Sequence, residues 1–336
     1  MGLSLSGRAA FCVALLFCPL SAAVAEEAAP RSNGVWSLTS ENDLFGGTDR
    51  NYSNGLRIER VTPANEVTPV LDWIANRIPI LDLDRTELRQ GFALSHMIFT
   101  PEDITLETPD PADRPYAGWL YFSGTVVATT GNTQDILQTN IGIVGPSAGG
   151  KFVQENWHEL INAIEPRGWE SQLKDEFGLE ITAQRMRRFD GPLLPLGLES
   201  DYGVHGGVTL GNVRTYASLG ATARVGFDLG ADFGPPRIRP ALAGAGTFRP
   251  DQELGGYLFA GFEGRGVARD MFLDGNLWRD GPRVEDRRDW VGDAQFGVAL
   301  YRGDVQVAFT YVHRTEEFKA QAGPQRFGAV SISIAQ

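Results

Sequence analysis

The sequence predicts an all-β fold: a twelve-stranded antiparallel transmembrane β-barrel with a short helix on an extracellular loop. Three observations predict it. Segments of about ten residues alternate apolar with polar or small side chains, the pattern of a strand with one face on lipid and one on a lumen. Beyond the N-terminal leader no apolar stretch approaches the about 20 residues that a spanning helix needs, since Gly, Thr, Gln or a charge interrupts each one. Turn signals recur throughout, with 40 glycines and an aromatic content of 10%.

The first 25 residues read as a cleaved secretory signal. Arg8 supplies a positive start, Ala9 to Leu20 a short apolar run, and Ala23-Val24-Ala25 a small-x-small cleavage site. Residues 26–336 are then expected to form a single barrel domain in the bacterial outer membrane. Both cysteines, Cys12 and Cys18, fall in the leader, so no disulfide or thiolate nucleophile is expected after cleavage. Leu16-Phe17 ahead of Cys18 lacks the small residue a lipoprotein site wants.

Strands are expected over 34–43, 53–62, 89–99, 117–130, 134–144, 178–189, 199–210, 214–226, 256–269, 286–301, 304–317 and 326–335. The alternation is plain in several. Leu137, Thr139, Ile141 and Ile143 interleave with Gln138, Asn140 and Gly142. Val305, Val307, Phe309 and Tyr311 interleave with Gln306, Ala308 and Thr310, and Val330, Ile332 and Ile334 with Ser331 and Ser333. The count is even, as a single-chain bacterial barrel requires.

Parity then orders the loops. A barrel that begins and ends on the periplasmic side has its extracellular loops after strands one, three, five and so on. Three polar segments occupy the first three of these positions. They are Glu41-Asn42-Asp43 with Thr48 to Gly55, then Asp113 to Gly118, then Gly145-Pro146-Ser147 leading to Gln154 and His158. In the last of them Phe152 to Ile164 reads as helix, with Phe152, Trp157, Leu160, Ile161 and Ile164 on one side. Gln154 and His158, four apart, share a face. Two connections are long for periplasmic turns: 62–89, with an amphipathic run at 70–76, and 227–254, rich in Gly and Pro. The C-terminus lacks a terminal aromatic.

The net charge of −12 leaves no footprint for nucleic acid. It suits divalent cations, which can bridge acidic loops to phosphate-rich lipids. No cysteine-histidine cluster, phosphate-cradling glycine loop or Gly-x-Ser-x-Gly elbow is present. Nothing argues for a dimer, and a monomer is expected.

Individual residues admit two readings at this level. His158 is either a structural hydrogen bonder or a general base. Asn42 and Asp43 are either an Asx-rich turn or oxygen ligands for a hard cation. Ser53 reads as a strand-start hydroxyl. Asp113, Arg114 and Tyr116 read as a buried ion pair with an aromatic cover. His96, His205 and His313 fall within strands and read as wall or lumen residues.

Residues 36 to 176 carry a resemblance. Glu41-Asn42-Asp43-x-Phe45, Thr48-Asp49-Arg50-x-Tyr52-Ser53-Asn54-Gly55, Phe99-Thr100-Pro101, Asp113-Arg114-Pro115-Tyr116-Ala117-Gly118-Trp119-Leu120, Gly145-Pro146, Gln154, His158 and Gly168-Trp169 with Gln172 occur in the order of the outer-membrane lipid A 3′-O-deacylases of LpxR type. The chain resembles that family over this half and a generic barrel over the rest. The resemblance implies a calcium-dependent esterase that removes the 3′-linked acyloxyacyl chain from lipid A, with lipopolysaccharide as its partner. It implies that His158 is the general base, that Asn42 and Asp43 hold or orient the metal, and that Ser53, where the family usually has threonine, lends a hydroxyl. A loop carboxylate also figures in the family site, and Glu159 and Glu165 are both open for that role. The rival expectations are a phospholipase-like acyl hydrolase on the same barrel and a non-enzymatic pore or structural barrel.

Overall fold

The computed structural model describes residues 34–47, 50–69, 73, 87–234, 248–249 and 252–336. The expected leader, the run 70–76 apart from Trp73, and the middle of 227–254 lie outside the described residues. So do Thr48 and Asp49.

Twelve strands close into one antiparallel barrel. They are β1 (Val35–Asn42), β2 (Asn51–Val61), β3 (Glu87–Thr100), β4 (Ala117–Thr130), β5 (Thr133–Val144), β6 (Glu176–Asp190), β7 (Glu199–Gly211), β8 (Arg214–Phe227), β9 (Leu254–Asp270), β10 (Trp290–Arg302), β11 (Val305–Arg314) and β12 (Gln325–Ala335). Each pairs with its sequence neighbours, and β1 meets β12 from Val35↔Ala335 to Asn42↔Gly328. Closure removes every free sheet edge, which hydrocarbon cannot satisfy. The expected strand over 286–301 starts at Trp290 and that over 304–317 stops at Arg314. The intervening chain instead turns onto the barrel mouth, where Arg287 bridges to Phe318.

The period of two sorts side chains between lipid and lumen. Trp36 and Leu38, Leu56 and Ile58, Phe92 and Leu94, and Phe296 and Leu300 stand exposed on the outside. Ser37, Arg57, Ala93 and Ala299, which alternate with them, point inward and are buried. The rim bearing the β1–β2, β3–β4 and β5–β6 loops is called the upper rim.

The lumen is filled by apolar and paired charged side chains. Near the upper rim an apolar layer holds Tyr52, Met97, Phe99, Trp119, Tyr121, Met271, Phe272 and Phe327. Phe272 comes from the β9–β10 loop and stacks on Phe99 with centroids 4.0 Å apart. Ion pairs lie among and beneath these rings, with Arg214 over Trp119 and Arg314 over Phe327. Arg214 bonds Glu180 at 2.7 Å, Arg314 bonds Asp293 at 2.7 Å and Arg57 bonds Glu59 at 2.7 Å. At the lower rim the β8–β9 connection turns inward: Asp232 accepts hydrogen bonds from Arg224 at 2.6 Å, from the Tyr257 hydroxyl at 2.8 Å and from Gln306 at 2.7 Å. Phe248 packs beside Val35, Ala231, Tyr301 and Ala335 to complete that layer.

Candidate active site

The first polar segment is the turn between β1 and β2. Asn42 ends β1 and caps a 3-10 turn over Asp43–Gly46, its Oδ1 accepting the Leu44 N–H at 2.8 Å. Short polar side chains favour such caps because they satisfy orphaned amides. Asp43 is 1% exposed, and its Oδ2 accepts the Arg50 N–H at 2.5 Å. The turn can lie on β12 because Gly328 has no side chain: a Cβ there would meet Phe45 at 2.7 Å. Asn42 belongs to the outward set of β1 with Trp36 and Leu38, so it faces away from the lumen.

Ser53 sits at a β-bulge, where the β2–β3 register slips between Tyr52 and Asn54. Its Oγ lies 2.6 Å from Thr100 Oγ1. Bulges re-aim side chains beside functional sites, and this one brings a serine inside the strand, rather than at its start, to a threonine on β3. Two hydroxyls that share one hydrogen bond leave one O–H available as a donor.

The helix α1 (Gly150–Ile161) follows β5. Its buried residues are Gly150, Gln154 and His158, spaced four apart on one face. Its apolar side chains point the other way: Phe152 is 70% and Leu160 76% exposed. The helix therefore packs by its polar stripe and offers its apolar stripe to the surroundings, the reverse of a helix on a water-soluble core.

Three contacts seat α1. A Cβ on Gly150 would fall 2.6 Å from the Trp169 ring, and one on Gly118 would fall 3.1 Å from the Gly150 nitrogen, so the two glycines allow helix, indole and strand to touch. His96 Nε2 donates to the Ala148 carbonyl at 2.9 Å. The Trp169 indole N–H donates to Gln154 Oε1 at 2.8 Å. Trp169 also packs with Ile98, Ile104 and Tyr116, which joins the β3–β4 loop to the β5–β6 loop. His158 Nδ1 lies 2.5 Å from the Ile164 carbonyl. A carbonyl only accepts, so Nδ1 carries the proton and Nε2 the lone pair. Glu159 and Glu165 are both exposed, so neither carboxylate is built into the wall.

The residues singled out in the sequence form two groups. The hydrogen bonds of Asn42, Asp43 and Ser53 run among β1, β2, β3 and the β1–β2 turn. That of His158 runs within its own loop. The outer face of β3 joins the two groups, because Thr100 bonds Ser53 and, four residues earlier, His96 bonds the start of the α1 segment. A register row runs the same way, from Asn42 through Asn54 and Ile98 to Gly118. Ser53 and the segment that leads into α1 thus both adjoin the outer face of β3.

The Asp113–Arg114 reading is corrected. Arg114 pairs with Glu317 at 2.8 Å and lies over the Phe99 ring at 5.3 Å. Asp113 instead accepts the backbone N–H groups of Glu102 at 2.6 Å and Arg114 at 2.7 Å. The reason is direction: the guanidinium turns into the lumen, while its neighbour's short side chain stays with the loop backbone. Burial pushes the Asp113 carboxyl above the usual range despite those donors. His96 also gains a role that its place in a strand concealed, and Thr100 was passed over although alternation from Ile98 puts it on the outer face. Among the described residues no group of three or more His, Cys, Asp or Glu could hold a metal. Asn42 and Asp43 offer only oxygen donors, the chemistry that a hard cation takes.

A family model described as "Outer membrane protein LpxR" matches residues 10–336. LpxR from Salmonella typhimurium superposes with a TM-score of 0.72 at 21% identity, covering 89% of this chain and 99% of that one. The beta domain of the Bordetella autotransporter BrkA is a more distant likeness, with a TM-score of 0.44 at 10% identity over 90% of this chain and 98% of that one. No curated protein sequence matches.

Proposed function

Since the chain belongs to the LpxR family of outer-membrane proteins, we propose that it is a lipid A deacylase, hydrolysing the 3′-linked acyloxyacyl ester with His158 as general base and calcium at Asn42 and Asp43. The observation that carries this reading is the fixed imidazole: His158 is 6% exposed, and its Nδ1–H is held by the Ile164 carbonyl. Its Nε2 is thereby committed as a proton acceptor, on the polar stripe of a helix clamped to the outer wall.

The step follows from ester chemistry. Nε2 takes a proton from water as the water oxygen bonds to the acyl carbon. Collapse of the tetrahedral intermediate breaks the carbon–oxygen bond to the sugar, and the imidazolium returns its proton to that leaving oxygen. The products are a free acyl chain and a hydroxyl. An imidazole can take a proton at one nitrogen and return it, so one side chain serves both transfers. Ser53 and Thr100 donate one O–H to the ester or its sugar. Calcium held by Asn42 and Asp43 would supply positive charge to the developing oxyanion. The outer-wall position lets a lipid enter sideways from the membrane, which supports a lipid substrate over a solute drawn through a pore.

The experiment is mass spectrometry of lipid A and phospholipids from cells with and without the protein. Wild type should release the 3′-linked chain and leave phospholipids intact. His158→Ala should slow release by about 100- to 10,000-fold, the usual worth of a general base. Chelation should cost about 100- to 1000-fold, as loss of oxyanion stabilisation does. Full activity in either case sinks the proposal.

A further inference from the structure

Asn51 stands out beside this site. It opens β2 with a φ of +66°, in the left-handed region. It is 2% exposed. Its Oδ1 is buried and has no hydrogen-bond partner. A left-handed non-glycine residue and a buried unpaired acceptor are each unfavourable, and here both fall on one residue. Loose packing does not account for it. Gln325 Nε2 donates to the Arg50 carbonyl at 3.3 Å and to the Tyr52 carbonyl at 3.0 Å, so the backbone is pinned on both sides of Asn51.

The surroundings say what would satisfy that oxygen. The residue before it gives its N–H to Asp43 Oδ2. Across the ladder it faces Thr100, whose hydroxyl meets that of Ser53. Asn51 thus follows the residue that bonds the Asp43 carboxylate and pairs across the ladder with the residue that carries one of the two hydroxyls. A hard divalent cation takes amide, carboxylate and hydroxyl oxygens together.

We infer that Asn51 Oδ1 is a further ligand of the cation held beside Asp43. The inference rests on the calcium reading given above. It assigns a dual task to the residue: the left-handed backbone turns β2 into the bulge, and the side chain completes the oxygen set.

The test separates those tasks. Purified full-length barrel in detergent micelles is titrated with calcium chloride by isothermal calorimetry. Heat-modifiable mobility on gels establishes that each variant's barrel is folded. Asn51→Gly keeps the backbone conformation, which glycine adopts freely, and removes the oxygen, so calcium affinity should fall at least about tenfold. Asn51→Asp keeps the oxygen and adds charge, so affinity should be retained or rise. Unchanged affinity in Asn51→Gly, or a loss in Asn51→Asp as large as that expected for glycine, overturns this inference and leaves the calcium site standing. Absence of calcium binding by the wild type overturns the calcium reading itself.

Discussion

Trp169 and Gln154 show how a single hydrogen bond can fix one face of a helix. The indole N–H holds Gln154 Oε1, which sets which way the amide lies one helical turn before His158. Trp169→Phe keeps the ring packing against Tyr116 and Ile104 but removes the donor. A buried acceptor left unpaired costs about 1–3 kcal/mol. The expected outcome is faster hydrogen exchange along α1 and lower turnover, with the barrel's own amides unchanged. At this scale much was legible in the sequence. The four-residue spacing of Gln154 and His158 and the polar cluster at Asn42 and Asp43 could be read directly. The Arg114 partner could not, because Glu317 is 203 residues away and no local pattern reports such a pair.

At the scale of elements, period-two alternation fixed the strands to within a few residues, since a barrel wall enforces it on every strand. Their ends were less legible where loops fold back onto the mouth, as at Trp290 and Arg314. The apolar stripe of α1 was readable as well, but not its direction, because the same stripe faces inward on a soluble protein and outward beside lipid. The seat of the helix tests this. Gly150→Val would drive a side chain into Trp169, so α1 should lift from the wall. Deacylation should be lost while the folded barrel keeps its heat-modifiable migration.

A second tether is sensitive to acid. Lys151 Nζ donates to Glu170 at 2.7 Å and holds that carboxyl below its usual range. A lowered carboxylate pKa means that the tether contributes above the ordinary glutamate range and is lost as pH falls through the lowered one. Hydrogen exchange in the first turn of α1 should therefore rise in acid, and Glu170→Gln should abolish that dependence.

For the whole molecule, the lumen decides between wall-borne chemistry and conduction. Its upper part holds aromatic rings with paired charges among and beneath them, and its lower mouth holds Asp232 among Arg224, Tyr257 and Gln306. Planar-bilayer recordings of wild type should show little conductance. Removing one partner of a buried ion pair typically costs about 3–5 kcal/mol, so Asp232→Ala should loosen the inward-turned connection and raise conductance. Steady high conductance in the wild type would favour a pore. The Gly- and Pro-rich composition of 227–254 gave no hint of this inward turn, because the feature that binds it is one carboxylate meeting donors from β8, β9 and β11.

The outward apolar stripe of α1 has a mechanical implication. With its back in hydrocarbon, such a clamp would be pressed onto the wall by the leaflet's lateral pressure. Chain fluidity and bilayer thickness should then tune turnover even with substrate in excess, so that the rate reports the physical state of the surrounding membrane.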